Sequence, residues 1–174
     1  RQAGIVLLST SRVYSLRDLG ELPLVEQENR FLLDPGKSLP DEVTSSGITE
    51  RFSTASPISM YGATKLASET LALEYGEAYG FPVWVNRCGV LAGSGQFGRP
   101  DQGIFSYWIH SWRENAALEY FGFDGRGLQV RDCLHPDDLG TLLLMQLNDS
   151  SRSRQPVQNV AGGTSNAISL SQLS

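Results

Sequence analysis

Three short apolar runs, at residues 4–10, 82–91 and 157–160, set the frame into which the rest of this chain must fit. Each is rich in Val, Leu or Ile without regular polar alternation, as strands buried on both faces of a parallel sheet require. The segments between them carry helical periodicity. Residues 61–79 place Leu66, Thr70, Leu73 and Glu77 at three- and four-residue steps, and Gly80-Phe-Pro82 stops the pattern. Residues 136–148 open on Pro136, put Asp137 and Asp138 at the positive end of the helix dipole, and continue through Leu139, Leu142, Leu143 and Met145. Residues 103–115 read as a third helix, with Phe105, Tyr107, Trp108 and Trp112. Its tryptophans serve either as a base-stacking platform or as packing against the sheet. Strands alternating with helices imply an α/β layered fold with right-handed crossovers. Residues 15–59 interrupt the rhythm with polar and turn residues, among them Pro23, Gly36, Pro40 and Pro57. A loop this long in one domain forms a lid or a binding surface. The alternative is a linker between two domains, but the first strand alone cannot make a domain.

Composition narrows the function classes. The 174 residues suffice for one domain, and 40% hydrophobic with 19% charged residues describes a soluble globular protein. The net charge of -5, with scattered basic residues, leaves no footprint for nucleic acid. No apolar run has transmembrane length, and no signal-peptide pattern is present. Cys88 and Cys133 are too few for a disulfide framework or a four-ligand zinc site, and read as buried thiols in a reducing cytoplasm. His110 and His135 lack a second ligand at metal spacing, so no metal is expected. Both ends look truncated. The chain enters a strand at once without an initiator Met, and a capping box at Ser169 and Gln172 opens a helix that Ser174 cuts off.

Chemistry concentrates at Tyr61-Gly-Ala-Thr-Lys65, where four-residue spacing at a helix start puts a phenol and an ammonium on one face. A free tyrosine, with a pKa near ~10, is a poor base at neutral pH, and a neighbouring ammonium favours its phenolate. Thr10 closes the first strand, at the carboxyl end where ligands of open α/β sheets bind, and its hydroxyl can bridge tyrosine and substrate. A second motif is a decoy. Gly93-Ser-Gly95-Gln-Phe-Gly98 has the spacing of a dinucleotide loop, and Glu119 follows about twenty residues on. Arg99-Pro100 would break the helix such a loop must open.

Four blocks together resemble one family: Ser9-Thr-Ser-Arg-Val-Tyr14, Pro57-Ile-Ser-Met-Tyr-Gly-Ala-Thr-Lys65, Asn86-Arg-Cys-Gly-Val-Leu-Ala-Gly93 and Val130-Arg-Asp-Cys-Leu-His-Pro-Asp-Asp-Leu139. The tail Asn159-Val-Ala-Gly-Gly163 with Ile168-Ser-Leu170 continues the likeness. The chain resembles the middle-to-late portion of the NAD-dependent epimerase/dehydratase family, the extended short-chain dehydrogenase/reductases. Gln96-Phe-Gly-Arg-Pro-Asp-Gln-Gly103 turns the likeness toward the CDP-paratose 2-epimerase branch.

The resemblance implies a partial Rossmann-like parallel sheet of late strands, over residues 1–93 and 130–165. Part of a small substrate-binding region would occupy 94–129 and 166–174. It implies NAD as cofactor, a CDP- or UDP-linked sugar as substrate, and a homodimer or homotetramer. Tyr61 would be the acid/base, Thr10 the bridge to the sugar, and Lys65 the holder of the nicotinamide ribose. Arg87 and Cys88 would lie against the cofactor, and Gln96, Asp101 and Gln102 against the substrate. Arg131 would grip the diphosphate, for which a forked guanidinium is suited; an ion pair with Asp132 or Asp138 is its alternative role. Where many members carry an asparagine and then Gly-Pro, this chain has Val90 and Gly93-Ser94. Dehydratases of the family carry Asp-Glu after the bridging threonine; Ser11 and Arg12 stand here, which favours an epimerase. The other readings are a dehydratase, a reductase, or a non-catalytic relative that binds NAD or a partner.

Overall fold

The computed structural model describes residues 4–100, 102–149 and 156–174. The chain begins with β1 (Ile5–Thr10), a single 3-10 turn, and α1 (Leu16–Gly20). Two hairpins follow, β2 (Leu24–Gln27) with β3 (Arg30–Leu33), and β4 (Val43–Thr44) with β5 (Gly47–Ile48). Then come α2 (Met60–Tyr79), β6 (Val83–Cys88), β7 (Val90–Leu91) and α3 (Ile104–Arg113). The last part holds β8 (Val130–Leu134), α4 (Pro136–Asn148), β9 (Val157–Val160), β10 (Ala167–Ser169) and α5 (Leu170–Leu173).

The three apolar runs of the sequence form one parallel sheet in the order β1-β6-β9. All six residues of β6 are buried, because the central strand is covered on both faces. The period-two alternation of a strand shows which helix covers which face. Val83 and Arg87 meet Gly76 and Glu69 of α2, while Asn86 and Cys88 meet Gln146 and Leu139 of α4. The sheet is therefore a Rossmann-like α/β layer. Gly89 separates β6 from β7, and there the chain leaves the first sheet for a second, ordered β10-β8-β7. In that sheet β7 runs parallel to β8, and β10 runs antiparallel to it. The sequence reading placed no strand at residues 130–134.

Helix α2 ends at Gly80, whose φ of 76° is the left-handed C-cap that glycine favours. Its buried stripe differs in phase from the 66-70-73-77 face that the sequence suggests. The buried residues are Gly62, Glu69 and Gly76, seven apart, while Thr70 and Glu77 face water. The two glycines bring the helix axis close to the sheet. A Cβ on Gly62 would lie 2.0 Å from the Arg12 carbonyl oxygen, and one on Gly76 would lie 2.4 Å from the Val83 side chain.

Residues 15–59 are packed. Val13, Tyr14, Val43 and Phe52 form a buried cluster, backed by Leu33, Ile48 and Leu66 of α2. Backbone bonds from Ser15 to Ser53 (2.8 Å) and from Leu16 to Pro57 (2.8 Å) fasten the stretch to the end of β1. It belongs to the same packed body as the sheet, and the linker alternative falls. At the other end, Ser169 and Gln172 make both bonds of the capping box that the sequence announces. No helix among the described residues is long and apolar enough to cross a membrane.

Candidate active site

A cleft of about 1140 Å³ opens at the carboxyl ends of β1 and β6 and is walled on its other side by β8 and the loops around α3. Thr10, Tyr61 and Lys65 all line it, and so do Cys88, Gln96, Gln102 and Arg131. Asp101 lies outside the described residues.

The chemistry-bearing wall is built by three local decisions. Strand β1 ends at Thr10, whose hydroxyl oxygen accepts from the Arg12 amide at 3.3 Å and caps the turn that follows. That turn returns the chain so that the Arg12 carbonyl abuts Gly62, the third residue of α2. Ser59 caps α2 by accepting from the Gly62 amide at 2.9 Å, which starts the helix one residue before Tyr61. Tyr61 and Lys65 then share a helix face, with the Lys65 ammonium 5.9 Å from the Tyr61 ring centre. Tyr61 is 49% exposed, so its hydroxyl is open to a ligand in the cleft. The Lys65 ammonium donates to the Leu8 carbonyl at 2.9 Å, which pins it beside the end of β1. An ammonium has three donors, so two remain for the hydroxyls of a ribose. The residues present thus fit the nicotinamide-ribose end of NAD.

Arg12 is a feature that residue spacing did not single out. Its guanidinium carbon sits 6.0 Å from the Tyr61 ring centre, on the cleft side of the turn. Across the cleft, Arg131 forms no ion pair among the described residues, and its side chain makes one long bond, 3.4 Å, to the Val130 carbonyl. The ion-pair alternative with Asp132 or Asp138 therefore falls. Enclosure by the protein lowers the Arg131 pKa, Arg12 lowers it further, and Asp132 opposes both. Among the described residues neither guanidinium has an acid paired with it, which is how a site waits for an anion. Burial likewise raises the Asp132 carboxyl above the ordinary carboxylate range, against the lowering effects of its own backbone and of Arg131. The Cys88 thiol is raised by burial, with Lys65 opposing.

Arg87 takes a different position. Its side chain is buried and spent on protein groups: Nη2 donates to Glu69 at 2.7 Å, Nη1 to the Tyr14 hydroxyl at 3.3 Å and to the Glu50 carbonyl at 3.1 Å. Ser9 donates to the same Glu69 carboxylate, and Tyr14 donates to Asn159. Burial raises the Tyr14 pKa, with Arg87 and Asn159 opposing. Arg87 does not line the cleft, so the structure separates it from the other site residues. Glu69 went unnoticed in the sequence. The signal was there: an acid one turn after Lys65 on the same helix face.

The decoy glycine loop is resolved by its continuation. Arg99 and Gln102 pair across a tight bridge, and α3 starts only at Ile104, after Gly103 with a φ of 70°. No helix begins at Gly98. Gly98 packs against the Tyr107 backbone instead, where a Cβ would lie 2.0 Å from its nitrogen. Gln96 reaches inward, donating to Leu91 at 3.0 Å and accepting from Ser106 at 2.8 Å. Trp108 is 3% exposed and stacks on Tyr120 at 5.3 Å, so the aromatic helix is packing that also forms cleft wall.

A Rossmann-like sheet with a Tyr-x-x-x-Lys helix at its carboxyl edge defines the short-chain dehydrogenase/reductase class. Residues 34–161 match the NAD dependent epimerase/dehydratase family, and the chain belongs to that family. It is 30% identical over 171 residues to the CDP-paratose 2-epimerase of Salmonella typhi, covering 97% of this chain and 47% of that protein. It is 33% identical over 119 residues to the UDP-glucuronate 4-epimerase of Thermodesulfobacterium geofontis, covering 67% of this chain and 33% of that one. Among solved structures, the UDP-glucuronic acid 4-epimerase of Bacillus cereus in complex with NAD superposes with a TM-score of 0.64 at 25% identity, covering 98% of this chain and 44% of that one. The chain therefore spans half or less of the length of these relatives.

Proposed function

We infer that this chain is the catalytic and substrate-binding part of an NAD-dependent nucleotide-sugar epimerase. The observation that carries this reading is the convergence of Thr10, Tyr61 and Lys65 with Gln96, Gln102 and Arg131 on one cleft. The likeness to two nucleotide-sugar epimerases supports it.

In this reading Lys65 uses its two remaining donors on the nicotinamide ribose and keeps Tyr61 beside it. Bound NAD supplies the hydride acceptor and returns the hydride. Tyr61 would take the proton from a sugar hydroxyl that Thr10 steadies, the sugar would pass through a keto form and turn, and Tyr61 would give the proton back to the carbonyl oxygen while hydride re-enters that carbon from its opposite face. Arg131 holds the diphosphate, and Gln102 flanks the sugar end. Gln96 shapes the loop from within, while Cys88 sits at the cofactor's edge. The sugar is CDP- or UDP-linked. The likeness to the Salmonella typhi enzyme, with the Gln96–Gly103 block, supports inversion at carbon 2 of a CDP-linked sugar. The reaction has zero net redox, so one cofactor serves many turnovers.

The site also favours epimerisation over dehydration, because Arg12 occupies cleft wall beside Tyr61 where an acid would be needed. The reading extends to an oligomer: Leu71, Tyr75 and Tyr79 lie exposed on α2 and form an apolar face suited to a second copy. It places the protein in a reducing cytoplasm, in keeping with two free cysteines.

The test is direct. The full-length protein, given NAD and CDP- or UDP-hexoses, should interconvert epimers, and Tyr61→Phe should lower kcat by about 100-fold or more, the usual worth of a positioned acid/base. A Tyr61→Phe enzyme that epimerises at near wild-type rate would sink the assigned mechanism.

A further inference from the structure

We propose that Gln129 reads the base of the bound nucleotide and selects cytosine over uracil. This deepens the nucleotide-sugar reading and rests on it.

Gln129 is 8% exposed and immediately precedes β8. Two residues before Arg131, it falls on the same side of the chain by strand alternation, and both line the cleft. Its amide nitrogen donates to the Phe121 carbonyl at 3.2 Å. That bond fixes which way the amide points, since the reverse orientation would set two oxygens against each other. The amide oxygen is then left buried with no hydrogen-bond partner among the described residues. A buried acceptor with nothing to accept is costly, and folded proteins seldom tolerate one without a reason. Gln129 itself lines the ligand cleft.

What surrounds it defines the complement. Phe121, whose carbonyl orients the amide, is 68% exposed and borders the same cleft. A large exposed ring in a cleft offers a stacking surface for a flat heteroaromatic ligand. The segment is held from behind, because Tyr120 stacks on buried Trp108, and Gly127 leaves room for the Tyr120 ring where a Cβ would lie 2.6 Å from it. The segment that carries the ring and orients the amide is therefore set before a ligand arrives. A nucleotide whose diphosphate meets Arg131 and whose sugar meets Tyr61 carries its base onward along β8, to Phe121 and Gln129.

The two pyrimidines differ where it matters. Cytosine carries an amino group at position 4 and donates a hydrogen bond there. Uracil carries a carbonyl at that position, and its one ring N–H is flanked by two carbonyls, so it sets acceptor against acceptor. A buried group built to accept discriminates strongly against a ligand that cannot donate.

Calorimetric titration of the full-length, NAD-loaded protein with CDP and with UDP tests this. CDP should bind about tenfold or more tightly than UDP, the factor expected of one buried hydrogen bond. The 5′-diphosphate of 2-pyrimidinone riboside, which lacks the amino group, should bind as weakly as UDP. Gln129→Met should lose the preference by weakening CDP while keeping the UDP affinity. Should that variant fail to fold, the wild-type comparison of CDP with the pyrimidinone decides. Equal binding of CDP and UDP, or a Gln129→Met protein that keeps the full preference, overturns the assignment and leaves the nucleotide-sugar reading intact. Binding of neither nucleotide removes that reading and this inference together.

Discussion

Replacing Glu69 with alanine should be among the most damaging single changes in the chain. The Glu69 carboxylate is 2% exposed and receives the Ser9 hydroxyl and two guanidinium nitrogens of Arg87, itself 7% exposed. Removing it leaves Arg87 buried with only the Tyr14 hydroxyl at 3.3 Å and the Glu50 carbonyl at 3.1 Å, neither of them charged. Breaking one side of a buried ion pair costs about 3–5 kcal/mol, because the stranded charge keeps its desolvation penalty. The orphaned Ser9 hydroxyl adds about 1 kcal/mol. Against a typical domain stability of about 5–15 kcal/mol, this is a large fraction. With a urea slope of about 2 kcal/mol per molar, the unfolding midpoint should fall by about 2 M. The double variant Glu69→Leu with Arg87→Met removes both charges and keeps the volume, so it should recover most of the loss, a coupling of about 2 kcal/mol or more. Urea melts of the wild type, both single variants and the double variant complete the cycle. A cost below about 1 kcal/mol for Glu69→Ala, or a double variant that simply adds the single losses, would refute the reasoning.

Arg131→Leu should raise KM for the nucleotide sugar by about 10- to 100-fold, the worth of a charge-assisted phosphate contact, with little change in kcat. Steady-state kinetics with the full-length enzyme will show it. Gly62→Ala forces a Cβ against the Arg12 carbonyl, a backbone atom that cannot swing aside, so the β1–α2 junction must shift. About 1–3 kcal/mol of stability should go with it, read by urea midpoint, together with a fall in kcat. Asp132 has its folded-state pKa raised by burial, so the folded state binds more protons than the unfolded chain just above the ordinary carboxylate pKa. Stability from this group is therefore lost as pH rises from about 3.9 through the folded value. Asp132→Asn should flatten that acid-side slope in urea melts taken across the range. Leu71→Glu, on the exposed face of α2, should shift the sedimentation profile toward a smaller species and leave the urea midpoint within about 0.5 kcal/mol equivalent.

What the sequence made legible depended on whether a residue's role is local or shared. The strands at 4–10, 82–91 and 157–160 announced themselves because burial on both faces demands continuous apolar side chains, and all three joined one sheet. The caps at Gly80, Pro136 and Ser169 are one-residue signals with one-residue causes, and they held their positions. Tyr61 and Lys65 could be put on one face because their spacing is a property of one helix, and Thr10 could be put at a strand end because the apolar run marks that strand. Strand β8 was missed because Arg131 and Asp132 break its apolar run, and those residues face a cleft that exists only after folding. The α2 face was read only in part, for a related reason: Leu66 and Leu73 are half-buried beside the stripe, while Thr70 and Glu77 face water. Periodicity counts apolar side chains, but this helix buries Gly62, Glu69 and Gly76, a stripe with no large apolar member. Gln129 was invisible because its oxygen acquires significance only when Phe121, eight residues back, claims the nitrogen.

Gly89 ties these levels together. One residue after the central strand β6, it carries the chain out of the first sheet into β7 and the second. Its amide donates to Val160 of β9 at 2.9 Å, so it is still held to the first sheet as it leaves. A Cβ there would lie 3.0 Å from the Asp132 carboxylate and 3.5 Å from the Ala161 side chain, so a larger residue presses on the wall bearing Arg131 at the crossing. The wall with Thr10, Tyr61 and Lys65 belongs to the first sheet, and the wall with Arg131 and Gln129 to the second. In the proposed reading, the distance between the reacting carbon and the diphosphate is thus set at the crossing, far from either end of the substrate. A Gly89→Ala enzyme should therefore hold nucleotide diphosphate alone nearly as well as wild type, yet lose turnover, because each wall survives while their spacing changes. Calorimetry with CDP or UDP and kcat on the full nucleotide sugar separate the two effects. Equal losses in both would show instead that the second wall itself had come apart.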